Sequence, residues 1–155
     1  MAGASIYTSR LAWTGERPDT LVVACSDGRW WHQIQEFVAH LGADAHTDML
    51  IVPGGIEPLT LADAVPKDFN FLRRRLDLVM REHHVRRVVA IAHHDCAWYR
   101  SHAIGRVTTD LRDKQVSDLR HAARWLAQEF PDLRVETFFA RLAGTNPERV
   151  AFEPV

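Results

Sequence analysis

At 155 residues, 46% apolar and 25% charged, the chain has the proportions of a soluble globular protein with enough length for one real core. A formal net charge of -1 gives no electrostatic case for nucleic acid or an anionic membrane surface, and no stretch approaches the roughly 20 apolar residues that span a bilayer. The opening residues, MAGASIYTSRLAWTGERPDT, contain no long apolar run, so no signal peptide is expected and a cytoplasmic location is.

Residues 1–19, broken by Gly15 and Pro18, read as an N-terminal arm, and 20–155 as a single domain. Thr20 to Ala24 is a short apolar run rich in β-branched residues and predicts a buried strand. From Trp30 to His40 the apolar residues Trp30, Ile34, Phe37, Val38 and Leu41 recur at helical spacing, with Gly42 as the stop. Met49 to Val52 predicts a second strand, closed by Pro53-Gly54-Gly55. A helix follows over 69–83, with Phe69, Leu72, Leu76, Val79 and Met80 on one stripe. VRRVVAIA, Val85 to Ala92, is the strongest strand pattern and runs directly into His93-His94-Asp95-Cys96. Thr109 or Asp110 would cap a long helix to about Glu129, with Leu119, Ala122, Ala123 and Leu126 inward, and Pro131 ends it. Two β runs, 133–142 and 149–152, flank the turn signal Gly144-Thr145-Asn146-Pro147. Strands alternating with helices predict an α/β fold with a mainly parallel sheet and an antiparallel C-terminal hairpin. Ligands of such sheets gather at the carboxyl ends of the strands, where both cysteine segments fall.

Those segments carry the chemistry. The chain has only two cysteines, Cys25 and Cys96, and the second closes a His-x-x-Cys turn with His93. Either segment alone would read as a small buried hydrophobe or a core histidine. Together they supply two thiolates and an imidazole, a donor set that suits Zn²⁺, and three protein ligands leave a fourth tetrahedral position open. In VVACSDGR, residues Cys25, Asp27 and Arg29 would share one face if the extended geometry held past the strand end. Beside a metal, Arg29 would hold Asp27 ionised so that it orients a hydroxide on the zinc, whereas Asp27 released from Arg29 would cap the open position.

The pair Cys25-Ser26-Asp27-Gly28-Arg29 and His93-His94-Asp95-Cys96 resembles the β-class carbonic anhydrases, whose signatures are Cys-x-Asp-x-Arg and His-x-x-Cys. VRRVVAIAHHDC is similar to the strand that delivers their second zinc segment, and VETFFARLAGTNPERVAFEPV to their closing hairpin. The likeness is nearest to a short branch labelled putative carbonic anhydrases. It implies one Zn²⁺ per chain on Cys25, His93 and Cys96, an Asp27–Arg29 catalytic dyad, reversible hydration of CO2 to bicarbonate, and a homodimer or higher homo-oligomer. His94 becomes a proton-shuttle candidate. The chain departs from that family at two places. Val52-Pro53-Gly54-Gly55 stands where an Arg-Asn-Ala-Gly stretch is usual, and Ala97-Trp98-Tyr99 replaces the glycines after the second cysteine. Gly54, Gly55 and Trp98 are therefore the candidates for a reshaped substrate pocket, and Gln33 for a bicarbonate contact.

Other residues read as structure. His83 and His84 form the polar end of a helix, Trp30 and Trp31 are core or interface anchors, and Arg73-Arg74-Arg75 is an exposed helix face. Three alternative readings remain at this level. One is a hydrolase of a CO2 analogue such as COS or CS2, and another is a non-catalytic zinc domain in which Asp27 caps the metal. The third is a cysteine enzyme with Cys25 as nucleophile, where Asp27 would repel an anionic phosphate.

Overall fold

The Thr20–Ala24 run forms strand β1, buried along its whole length. The computed structural model describes residues 5–43, 47–101, 110–146 and 148–155, so Thr109 and Pro147 lie outside the described residues. Residues 5–19 belong to no helix or strand. After β1 come a 3-10 turn at Gly28–Trp30, helix α1 (Trp31–His40) and strand β2 (Thr47–Ile51). A second 3-10 turn at Glu57–Thr60 leads to α2 (Pro66–His83), then β3 (Arg87–His93) and the short α3 (Ala97–Ser101). Helix α4 (Leu111–Glu129) precedes the hairpin β4 (Arg134–Ala143) and β5 (Arg149–Pro154).

The five strands make one sheet in the order β2-β1-β3-β4-β5. The first four are parallel and β5 runs antiparallel to β4, as the alternating pattern and the tail predict. Successive residues of a strand point to opposite faces, and both faces of β1 and β3 are covered. Leu21, Val23, Val88 and Ala90 pack under α2 and α4 with Leu72, Leu76, Met80, Leu119, Ala122 and Leu126. Val22, Ala24, Val89 and Ile91 pack on the other face against Trp30, Ile34 and Val38. Fully burying each such leucine contributes roughly 1.5–3 kcal/mol. No helix among the described residues is long and apolar enough to cross a membrane.

The boundaries differ from the sequence pattern where local chemistry intervenes. Helix α2 begins at Pro66, ahead of the apolar stripe, because proline fits the first helical position, where its missing N–H is not needed. It ends at His83, and the capping His84, with a left-handed φ of 57°, turns the chain before β3 begins at Arg87. Asp110 caps α4: its carboxylate accepts from the N–H groups of Arg112 (2.9 Å) and Asp113 (3.1 Å). Replacing Asp110 by Ala should cost about 1 kcal/mol in urea unfolding, and unchanged stability would show that the cap is not needed.

Candidate metal centre

Register places the centre. Ala24 of β1 pairs with Ile91 of β3, and β3 runs on to His93, so adjacent parallel strands bring Cys25 and His93 to one carboxyl edge. Beyond Ala24 the chain stays extended, with the Ser26 N–H donating to the Val52 carbonyl at 3.2 Å. After His93 the loop turns through Asp95, in the left-handed region at φ 57°, and returns Cys96 at the foot of α3. One sulfur or ring nitrogen each from Cys25, His93 and Cys96 lies within 4.8 Å of the others. The two sulfurs are 3.8 Å apart and both thiols are free.

The state of His93 follows from its partners. It is 1% exposed, and its Nδ1 lies 2.8 Å from the carbonyl of His94, which can only accept, so Nδ1 carries the proton. Among the described residues the buried Nε2 meets no partner at hydrogen-bond geometry, so its lone pair is able to ligate a metal. The Trp30 ring, 5.0 Å from the imidazole, fixes its plane from the apolar side. A hydrogen bond from the Cys96 thiol holds the Cys25 thiol well below its ordinary range, against burial; the neighbouring His93 ring and the backbone N–H groups of Gly54 and Asp27 add to the lowering. The same hydrogen bond, with burial, pushes the Cys96 thiol well above its ordinary range. A ready thiolate, a second thiol and a free imidazole lone pair fit a borderline-soft cation.

Asp27 and Arg29 meet, but not by sharing one strand face. The Oδ1 of Asp27 accepts from the Arg29 N–H at 3.1 Å, which turns the chain into the 3-10 segment and folds Arg29 back. The guanidinium then grips the carboxylate with Nε at 3.0 Å from Oδ1 and Nη2 at 2.6 Å from Oδ2. This charge-assisted pair lowers the Asp27 pKa to about 2. Sequence reasoning gave no role to Asp95 or Arg100. Asp95 takes Nη1 of Arg29 at 3.3 Å on one oxygen and Nη1 of Arg100 at 2.5 Å on the other, continuing the ion-pair chain.

Cys25, Ser26, Asp27, Pro53, Trp98 and Ser101 line a cleft of about 400 Å³. Gly54 and Gly55 lie behind this lining, Gly54 under the Trp98 indole and Gly55 against the backbone of Ala24 and Cys25. His94 is exposed beside the ligand group. Gln33 belongs to a different cleft, with Phe37 and Arg149. His83 pairs with Asp48, and Arg73, Arg74 and Arg75 are exposed.

The family model described as "Putative carbonic anhydrase" matches residues 16–148. An uncharacterized protein of Rickettsia conorii is 23% identical over 129 residues, 81% of this chain and 68% of its own length. The solved β-carbonic anhydrase isoform I of Trichomonas vaginalis superposes with a TM-score of 0.57 at 14% identity, covering 92% of this chain and 87% of that one. A structure from a study of two tetrameric β-carbonic anhydrases of the ascomycete Sordaria macrospora superposes with a TM-score of 0.51 at 16% identity, over 90% and 84%. These two likenesses establish the fold, and the family match, which covers most of the chain, establishes the family: this chain belongs to the putative carbonic anhydrase family.

Proposed function

We propose that this protein catalyses the zinc-dependent, reversible hydration of CO2 to bicarbonate, with Cys25, His93 and Cys96 holding the metal. The observation that carries the reading is the buried Nε2 of His93, without a hydrogen-bond partner among the described residues, grouped with two free thiols whose donor atoms all lie within 4.8 Å of one another. The sulfurs, 3.8 Å apart, lie close enough to share one ion, and a donor set of two thiols and an imidazole suits Zn²⁺. Bound there, zinc would supply a Lewis acid that brings the pKa of water from about 15.7 toward 7.

The chain's own residues manage the rest. Arg29 keeps Asp27 as a carboxylate and fixes both of its oxygens. Asp27, in the lining of the cleft, accepts a hydrogen bond from the attacking nucleophile and so aims its lone pair at the CO2 carbon. Because Arg29 occupies Asp27 on both oxygens, the carboxylate is drawn away from capping the metal. The proton released on each turnover passes outward, and the exposed His94, next to the ligand His93, is placed to carry it. Trp98, seated on Gly54, forms the cleft wall, with Gly55 bracing the strand that carries Cys25. A homo-oligomer accords with the tetrameric proteins from Sordaria macrospora, and the exposed Ile6, Leu11 and Trp13 give it apolar surface to bury.

Stopped-flow CO2 hydration on protein of measured zinc content tests the proposal. The wild type should exceed the buffer rate, and Asp27→Asn should keep zinc and lose about 100-fold or more in kcat. Full zinc occupancy with only the buffer rate at mildly alkaline pH would overturn it. Turnover of COS or CS2 by the same preparation would then move the assignment to a CO2-analogue hydrolase. An unchanged rate in Asp27→Asn would remove the dyad from the mechanism.

A further inference from the structure

Trp98 stands between two hollows. On one side lies the cleft of about 400 Å³ over Cys25, Ser26 and Asp27, with a thiol, a hydroxyl and a carboxylate in its wall. On the other, a hollow of about 250 Å³ is lined by Val52, Pro58, Phe71 and Leu72, with Asp68 as its one charged residue among those described. Trp98 and Pro53 belong to both linings. The first hollow carries polar groups and the second is mostly hydrocarbon, and of the two described side chains that line both, Trp98 is the larger.

Contacts with Gly54 and Glu57 and an anchored helix hold the indole in place as a wall. It sits so close to Gly54 that a Cβ there would lie 2.3 Å from Cδ1 and 2.6 Å from Nε1, so any other residue would push the ring away. Its Nε1 donates to Oε2 of Glu57 at 3.3 Å, and that glutamate is 1% exposed. The helix that carries it is tied down one residue later: the buried Tyr99 hydroxyl donates to Asp118 at 2.9 Å, and Lys114 pairs with the other oxygen of Asp118. A ring held by a backbone seat, a buried acceptor and an anchored helix keeps its place better than one set by a single contact.

The geometry points to Trp98 as the specificity-determining residue of the metal-side cleft, sealing it from the apolar hollow and restricting it to small, compact electrophiles. This rests on the metal reading above and adds to it the substrate class: molecules without an apolar arm. Shortening Trp98 joins the two spaces and lets a ligand anchored at the metal extend into the hollow beside Phe71 and Leu72.

Two metal-directed probes of different shape make the test. Zinc-loaded wild type and Trp98→Ala are titrated with thiocyanate, which is small, and with 4-butylbenzenesulfonamide, whose alkyl tail needs the second space. Thiocyanate affinity should stay within about twofold, while the sulfonamide should bind about tenfold more tightly to Trp98→Ala, since burying two or three further CH2 groups has at least that effect. Equal sulfonamide affinity in the two proteins would overturn the wall. Trp98→Phe, which keeps most of the ring and loses the Glu57 bond, should show a smaller gain and serves if the alanine variant does not fold. If thiocyanate binds neither zinc-loaded protein, the metal reading is what fails, and xenon-pressurised crystals of Trp98→Ala then judge the wall separately. Xenon in the space left by the indole, continuous with the Phe71 side, supports it; a collapsed space without xenon overturns it.

Discussion

Cys96→Ser should purify with zinc at less than about a tenth of an equivalent, where the wild type should carry one. A neutral serine hydroxyl replaces a thiolate in a three-ligand set, and zinc affinity depends on deprotonated soft donors. Cys25→Ser should behave alike, because it removes the other sulfur of the same group, the thiol that its Cys96 hydrogen bond holds below its ordinary range. Elemental analysis after gel filtration reads the occupancy directly. The thermal consequence has a definite sign. A metal that binds only the folded chain raises its apparent stability with the free metal concentration. Wild-type Tm should therefore fall on treatment with a chelator and recover with zinc, while neither serine variant should respond. A buried serine at position 96, where Cys96 is 2% exposed, also lowers the baseline Tm, so the response to zinc is the diagnostic, not the Tm itself. Full zinc in both serine variants would show that these sulfurs are not the ligands.

The legible part of the fold was the part that repeats. β1 and β3 are continuous apolar runs, α1, α2 and α4 carry helical stripes, and the parallel order with its final hairpin follows from their alternation. The grouping of Cys25, His93 and Cys96 was legible too, because all three sit where adjacent strands end. What stayed hidden is shorter than one structural period. Helix α3 has five residues and the 3-10 turn at Glu57 four, too few for any periodicity to register. Glu57 reads in the sequence as one more polar loop residue, yet it is buried and receives the Trp98 N–H. The expectation that Arg29 would share a strand face with Asp27 failed for a local reason: the Asp27 carboxylate takes the Arg29 N–H and bends the chain. Asp95 carried one clue, an aspartate in a tight loop, a residue type that tolerates the left-handed conformation it adopts.

Gly55→Ala should lower Tm by several degrees and weaken zinc binding together, and Gly54→Ala should not copy that pair of effects. Both glycines have left-handed φ, +62° at Gly55 and +77° at Gly54, where a Cβ alone costs about 1–2 kcal/mol. Their surroundings separate them. A methyl on Gly55 would stand 3.2 Å from the carbonyl carbon of Ala24 and 3.2 Å from the nitrogen of Cys25, main-chain atoms held in the sheet. They can yield only by moving the strand end that presents the first sulfur, so the strain reaches the proposed metal site. At Gly54 the obstacle is the Trp98 side chain, 2.3 Å away, which can tilt at the expense of its bond to Glu57 while the sulfurs stay put. For a chain of this length each kcal/mol is worth about 2–4 °C, so Gly55→Ala should melt roughly 3–10 °C lower and lose zinc to a competing chelator several-fold sooner. Gly54→Ala should show a comparable loss of Tm with zinc retention near wild type, and an altered indole fluorescence. Gly28→Ala, with nothing within 4 Å of the added carbon, is the control and should stay within about 0.5 kcal/mol of wild type. Equal zinc retention in Gly55→Ala and Gly54→Ala would mean that the seat beneath Cys25 is not what holds the first sulfur in place.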